Sequence, residues 1–309
     1  MNALATLFPV FFMVALGLIA RIRGWITSEQ KDGTNHIIFN ILFPFLIFNI
    51  ILTSTIEASS IWIVLYVFVV FIIAVLVGKV INKLVNHKYS HISPYMLTTC
   101  EGGNVALPLY LSIVGSSSNT VIFDLAGTLM CFVIIPVIVA KISAGKVSFK
   151  QLVKKIFSNS FVIAVILAMI LNFSGVYNFL ATSQFIDIYT NTIEMVTGPI
   201  VGMILFIIGY NLNINKETLN VIIKMITVRV LFYFLVILGF FIIFPELMAD
   251  EIYLMAVLIY FMSPTGFALP MQISPLYQNE DDASFTSAFI SLNMIITLIV
   301  YVFVVIFIA

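Results

Sequence analysis

Two short stretches carry residue types whose chemistry is out of place in their surroundings. One is Glu101-Gly102-Gly103-Asn104-Val105-Ala106-Leu107-Pro108. The other is Ser263-Pro264-Thr265-Gly266-Phe267-Ala268-Leu269-Pro270, with Gln272 close behind. Proline removes a backbone N–H and clashes with the preceding turn, and glycine weakens a helix further. Both stretches sit inside long apolar runs. Backbone groups freed there cannot face lipid, where each unsatisfied one costs several kcal/mol. They must pack against protein or line a wet cavity. The start of a half-helix offers free N–H groups and partial positive charge, which suit an anion. A packing kink explains one such break. Two of them, both flanked by polar side chains, point to a binding site. Its candidate substrate-binding residues are Gly103, Asn104, Pro108, Pro264, Thr265, Gly266 and Gln272.

Glu101 is the sharpest member of the set. It lies about ten residues from either end of its apolar run, and a carboxylate at such depth costs about 2.5–3.5 kcal/mol on insertion scales. It reads either as a carrier of a coupling proton or cation, or as a neutral acid hydrogen-bonded to carbonyls freed near Gly102. Other polar residues have plainer readings. Arg229, just over a turn beyond Lys224, is expected to snorkel to the interface. Asp124 falls near the start of a run, where an acid is favoured by the helix dipole. Glu194 reads as an interfacial residue. His87 and His91 are four apart but have no acidic neighbour in sequence, so no metal site is expected. Cys100 and Cys131 lie inside apolar runs and read as small packing residues.

The elements that must position these residues follow from composition. Of 309 residues, 62% are hydrophobic and 9% charged, and the net charge is zero. A soluble domain is nearer 45–50% apolar and about 25% charged. A soluble enzyme, a disordered chain and a nucleic-acid binder are therefore excluded. Continuous rather than alternating apolar runs exclude a β-barrel. The fold class is an all-α polytopic membrane protein with ten transmembrane helices, near 2–21, 34–54, 60–82, 92–113, 120–141, 155–174, 187–211, 222–244, 252–274 and 283–308. Met1–Ala20 lacks a basic residue before its apolar run and reads as the first span, not a signal peptide. The Lys and Arg residues cluster after spans one, three, five and seven, including Lys79, Lys88, Lys141, Lys146, Lys150, Lys154, Lys155 and Lys216. The opposite connections carry acids such as Glu57, Asp187, Glu246, Asp250 and Glu251. The positive-inside rule then puts both termini outside. The nine–ten turn, with Glu280, Asp281 and Asp282, falls on the basic side and is an exception.

Ala106-Leu107-Pro108 and Ala268-Leu269-Pro270 are 162 residues apart, close to half the chain. They fall at equivalent depths of spans four and nine, which run in opposite directions. Five spans per half is an odd number, so the halves, 1–154 and 155–309, form a 5+5 inverted repeat with two crossing broken helices. Matched discontinuous helices in inverted halves are the mark of a secondary-transporter site. His-Glu-x-x-His, Gly-x-Ser-x-Gly and Walker motifs are absent, so neither an enzyme nor a cofactor is expected.

On these residues the chain resembles the auxin efflux carrier family, membrane transport proteins that include plant auxin exporters and bacterial malate or malonate carriers. The resemblance runs through Gly17, Arg21 and Gly24-Trp25; Asn40-Ile41-Leu42-Phe43-Pro44 to Phe48; Gly103-Asn104 to Pro108; Pro199, Gly209 and Leu212; and Pro264 with the acidic turn after it. It implies a fold similar to bile acid:sodium symporters. A scaffold would comprise spans one, two, six and seven (about 1–54 and 155–211), and a transport domain spans three to five and eight to ten (about 60–141 and 222–308). It also implies elevator-like motion and a scaffold-mediated homodimer. Asn104, Pro108 and Pro264 match the crossover positions. Ala106 stands where the family often has glycine, and Cys131 where an Asn-bearing segment is expected. The expected function is secondary transport of small organic anions such as carboxylates or auxin-like acids across the plasma membrane, driven by protons or the membrane potential. A sodium-coupled symporter and a transporter-fold ligand sensor without turnover are the alternatives.

Overall fold

The computed structural model describes residues 3–53, 60–85, 88–115, 119–143, 160–211 and 218–309. Glu57, His87, Lys146, Lys150, Lys154, Lys155, Leu212 and Lys216 lie outside the described residues, as does the expected boundary between the halves at 154/155. Every described element is helical. Five helical stretches are long and apolar enough to cross a membrane: Ser28–Thr53, Ser60–Asn82, Ile186–Asn211, Leu219–Ile243 and Asp281–Phe307. Shorter apolar helices cover Gly102–Val114, Val162–Phe173 and Glu251–Phe261, on the expected spans four, six and nine.

Helix α1 (Ala3–Arg23) ends in Arg21 and Arg23, cations favoured by the dipole there, and stops at Gly24, which takes φ +67°. A capping box of Thr27 and Gln30 starts α2 (Ser28–Ile37). A wide π-turn, Ile38–Leu42, carries α2 into α3 (Phe43–Thr53). Similar π-turns occur at Gly102–Ala106, leading into α6 (Leu107–Val114), and at Met130–Ile134, between α7 (Asn119–Leu129) and α8 (Ile135–Ser143). Each ends two residues before a proline: Pro44, Pro108 and Pro136. The proline ring excludes the normal i−4 carbonyl, and the helix widens by one residue to pass it.

Helix α4 (Ser60–Val85) and short α5 (Ser93–Met96) precede the first break. After α8 come α9 (Ser160–Phe173), α10 (Val176–Ala181), α11 (Ile186–Thr197) and α12 (Ile200–Asn211). Then follow α13 (Leu219–Ile243), α14 (Pro245–Met248), α15 (Glu251–Phe261), α16 (Leu269–Ile273) and α17 (Glu280–Phe307).

Two helix pairs build one side of the molecule. Helix α1 packs on α12 so closely that a Cβ on Gly17 would overlap the Phe206 carbonyl, and one on Gly209 the Val14 carbonyl. Small residues permit this approach, as is common where helices associate in a bilayer. Helix α3 packs on α9, where Asn172 Nδ2 donates to the Ile51 and Leu52 carbonyls at 3.0 Å each. The other side is an aromatic core from α4, α7, α13 and α15. Phe123 lies 5.3 Å from Tyr260 and 5.8 Å from Phe240, and Phe240 lies 5.3 Å from Phe261. After Arg229, helix α13 is apolar all round: Tyr233, Val236 and Phe240 are buried while Leu231, Phe234 and Leu235 are exposed. That pattern suits a helix with one face on protein and the other on lipid.

The acidic exception has a tertiary explanation. Lys88 Nζ lies 2.8 Å from Asp281 Oδ2, and His91 Nε2 lies 2.8 Å from Asp282 Oδ2. Tyr89 stacks on Phe285 with ring centroids 3.9 Å apart. Asp281 and Asp282 are the partners of the 88–92 turn. His91, expected to lack an acidic partner, has one from a residue 191 positions away.

Candidate functional site

Between α5 and α6 the chain runs non-helically from Leu97 to Glu101, and between α15 and α16 from Met262 to Ala268. The two breaks touch. Glu101 N donates to the Pro264 carbonyl at 2.7 Å, Thr265 Oγ1 to the Met96 carbonyl at 2.5 Å, and Gly266 N to Thr99 Oγ1 at 3.4 Å. Thr99 holds φ +54°, a left-handed conformation that a β-branched residue adopts only under constraint. Its hydroxyl bond to the second break supplies part of that constraint, and Arg229 supplies more.

Arg229 is 2% exposed, so the expectation that it snorkels to the interface is overturned. Its guanidinium donates to the carbonyls of Leu97 at 2.8 Å, Thr99 at 2.7 Å and Ser263 at 3.1 Å. It stacks on Tyr233, 4.5 Å from the ring centroid, and the Tyr233 hydroxyl also donates to the Leu97 carbonyl. The carbonyls freed by both breaks therefore converge on one planar cation. A rigid fork of five donors suits that task better than a lysine would.

The freed N–H groups converge on carboxylates. Glu101 is buried; Asn104 N donates to its Oε1 at 3.1 Å, Asn104 Nδ2 to the same oxygen at 2.5 Å, and Phe267 N to its Oε2. Glu101 thus accepts amide hydrogens from both breaks, rather than donating to carbonyls as a neutral acid would. Asp124 sits five residues into α7, not at an outer helix end as its position in the sequence suggested. The Gly102 and Gly103 amides hydrogen-bond its carboxylate, and the Tyr260 hydroxyl lies 3.5 Å from Oδ1. A side chain on Gly102 would overlap the Asp124 carboxylate, and one on Gly103 would come within 2.6 Å of the Phe43 ring. These are close approaches that only glycine permits.

A cavity of about 400 Å³ opens beside this junction. From the breaks and α7 it is lined by Thr99, Glu101, Gly103, Asn104, Asp124, Thr128, Cys131, Gly266 and Phe267. From the opposite side come Asn35, Asn40 and Phe43, together with Ile204, Ile207, Ile208 and Asn211 of α12. Each of the three π-turns contributes to the wall. The size suits a small organic molecule. Among the lining residues there is no lysine, arginine or histidine.

Of the residues singled out from the sequence, Glu101, Gly103, Asn104 and Gly266 line the cavity. Pro108, Pro264, Thr265 and Gln272 lie behind it. Pro108 is the second residue of α6, the Pro264 carbonyl accepts from Glu101 N, the Thr265 hydroxyl donates to the Met96 carbonyl, and Gln272 is buried on α16. Asn35 and Asn211 escaped sequence reasoning, and Asp124 and Arg229 were given readings that the structure does not bear out. An Arg–Tyr pair four residues apart within an apolar span was the one available sign for Arg229. Cys100 and Cys131 are buried and unbridged. Among the described residues no cluster of three or more His, Cys, Asp or Glu could hold a metal ion.

Residues 2–147 match the membrane transport protein family. This is the family of auxin efflux carriers that the sequence resembles, and the matched segment holds the first break, Glu101, Asn104 and Asp124. The second break and Arg229 lie beyond it. No curated protein matches the chain. The membrane transport protein family is one of transporters rather than enzymes, and it indicates a membrane transporter here.

Proposed function

We propose that the protein is a secondary active carrier of small organic anions, such as carboxylates or auxin-like acids, working by elevator-type alternating access. The observation that carries this reading is the cavity of about 400 Å³ where two interrupted membrane segments bond to each other. On one side lie the breaks and α7, which move as the transport domain. On the other lie α2–α3 and α12, part of a static scaffold through which two copies dimerise. The inverted 5+5 repeat is supported by packing: α1 on α12 and α3 on α9 are the pairs that exchange when spans one to five map onto six to ten. Gly103, Asn104 and Gly266 contact substrate, and Pro108, Pro264, Thr265 and Gln272 shape the crossover. Both termini face outward from the plasma membrane, with the proton gradient or membrane potential as driving force.

Proteoliposomes holding the purified protein test this with labelled mono- and dicarboxylates. Saturable uptake or efflux is expected for part of the panel; no saturable flux for any member refutes the reading. Asn104→Ala should abolish flux while the protein still purifies folded. Sodium coupling is a second reading, favoured by two carboxylates in a cavity wall that holds no cationic side chain. Flux that stops when choline replaces sodium selects it.

A further inference from the structure

The half-helix start at Gly102 is where sequence reasoning placed the substrate's negative charge. In the folded protein those donors are already taken. Asn104 N and Nδ2 and Phe267 N point at Glu101, and the Gly102 and Gly103 amides at Asp124. An incoming carboxylate meets two carboxyl groups of the protein, and the backbone amides of Gly102, Gly103 and Asn104 are already engaged by them. Glu101 differs from Asp124 in one respect: its amide donors come from both breaks, so it alone occupies the junction where a substrate anion would touch both. We propose that Glu101 is an internal substitute for the substrate's carboxylate, displaced from the crossover amides only when it takes up a proton, so that one anion and one proton are bound and carried together.

This rests on the anion-carrier reading above. The chemistry is a single proton transfer. Water delivers a proton to a Glu101 carboxylate oxygen, no covalent bond other than O–H forms, and the same proton leaves on the far side. Charge-assisted hydrogen bonds are about twice as strong as neutral ones. A protonated Glu101 therefore holds the Asn104 and Phe267 amides more weakly, and its O–H becomes a donor that the anion can use. The charged and titratable groups around it make the exchange sharp. From α7, Asp124 brings a second buried carboxyl group. From α15, Tyr260 faces Asp124. From α13, Arg229 and Tyr233 are engaged with carbonyls of the two breaks, and Arg229 also with Cys100 Sγ at 3.5 Å. Helices α2 and α12 and the adjoining π-turn contribute no charged or titratable group to this cavity; their polar side chains there are the amides Asn35, Asn40 and Asn211. Without the proton, an anion in the cavity would add its charge beside two carboxyl groups and one guanidinium whose donors are committed elsewhere.

The test uses full-length protein in liposomes loaded with a pH-sensitive dye, with malonate, malate and succinate as probes and protein-free vesicles as control. The expected result is saturable anion entry with matching internal acidification, and an apparent malonate affinity that weakens tenfold per pH unit on the alkaline side. In Glu101→Gln that slope should flatten. Anion entry without protons, an affinity that strengthens with pH, or a wild-type slope in Glu101→Gln overturns the inference and leaves the carrier reading standing. Absence of flux for all three probes refutes anion transport itself and the inference with it. Should Glu101→Gln fail to fold, the proton count of the unaltered protein still decides.

Discussion

Replacing Arg229 by methionine probes how the crossing breaks are held. The guanidinium donates to the carbonyls of Leu97, Thr99 and Ser263 and, at 3.5 Å, to those of Met96 and Thr98; Leu97 keeps the Tyr233 hydroxyl at 3.1 Å and Met96 the Thr265 hydroxyl. The Thr99 and Ser263 carbonyls lose the donor that Arg229 gives them. A buried acceptor left unsatisfied costs about 1–3 kcal/mol, so two cost about 2–6 kcal/mol. Lost stacking on Tyr233 adds about 1–2 kcal/mol. Removing a buried cation recovers part of its desolvation cost, which is several kcal/mol. A net loss of about 2–5 kcal/mol is expected, seen as a fall of roughly 5–15 °C in apparent Tm in detergent. Arg229→Lys should fall between, because one ammonium cannot reach carbonyls spread on two segments as a planar fork does. Hydrogen exchange should rise at 97–101 and 263–268 and stay unchanged in α1. A methionine variant with wild-type Tm and wild-type exchange at those segments would refute the reasoning that Arg229 holds the breaks together.

Gly209→Ala should force α1 and α12 apart and cost about 1–3 kcal/mol, whereas Gly202→Ala, whose Cβ would meet Met13 Cε at an ordinary 3.8 Å, should leave Tm unchanged. Equal Tm for the two variants would show that the glycine contact does not set the helix spacing. Asp282→Ala removes the acceptor for Gln278 N, 2.7 Å away, and the partner of His91, and should cost about 1–3 kcal/mol. Asp281→Ala, which breaks only the exposed pair with Lys88, should leave Tm nearly unchanged in the same thermal assay.

The places where helices fail were legible because their cause is local. Pro108, Pro264 and the glycines beside them mark both breaks, and Pro44 and Pro136 mark the other two π-turns for the same reason. Glu101 and Asn104 stood out because a carboxylate and an amide are costly in an apolar run. The partners of those groups were not legible. Arg229 looked like an interfacial cation because a count along the chain measures distance from the span's end, not from a carbonyl on another helix. Asp124 looked like a helix-start acid because its distance along the chain says nothing of the Gly102 and Gly103 amides that another segment brings to it. The acidic turn looked anomalous until the 88–92 turn was beside it.

By itself the amino-acid sequence determined that this chain lives in a bilayer as helices, and that two of its apolar runs must be interrupted. Both follow from interactions within a few residues: hydropathy per turn, a missing proline N–H, a missing glycine side chain. Only the tertiary structure decided what satisfies the interruptions, with one guanidinium gathering the carbonyls and two carboxylates gathering the amides. Several of those pairings join distant residues, Arg229 with Thr99 across 130 positions and Glu101 with Phe267 across 166, and close packing of α13, α7 and the second break against the first is what brings them within hydrogen-bonding distance.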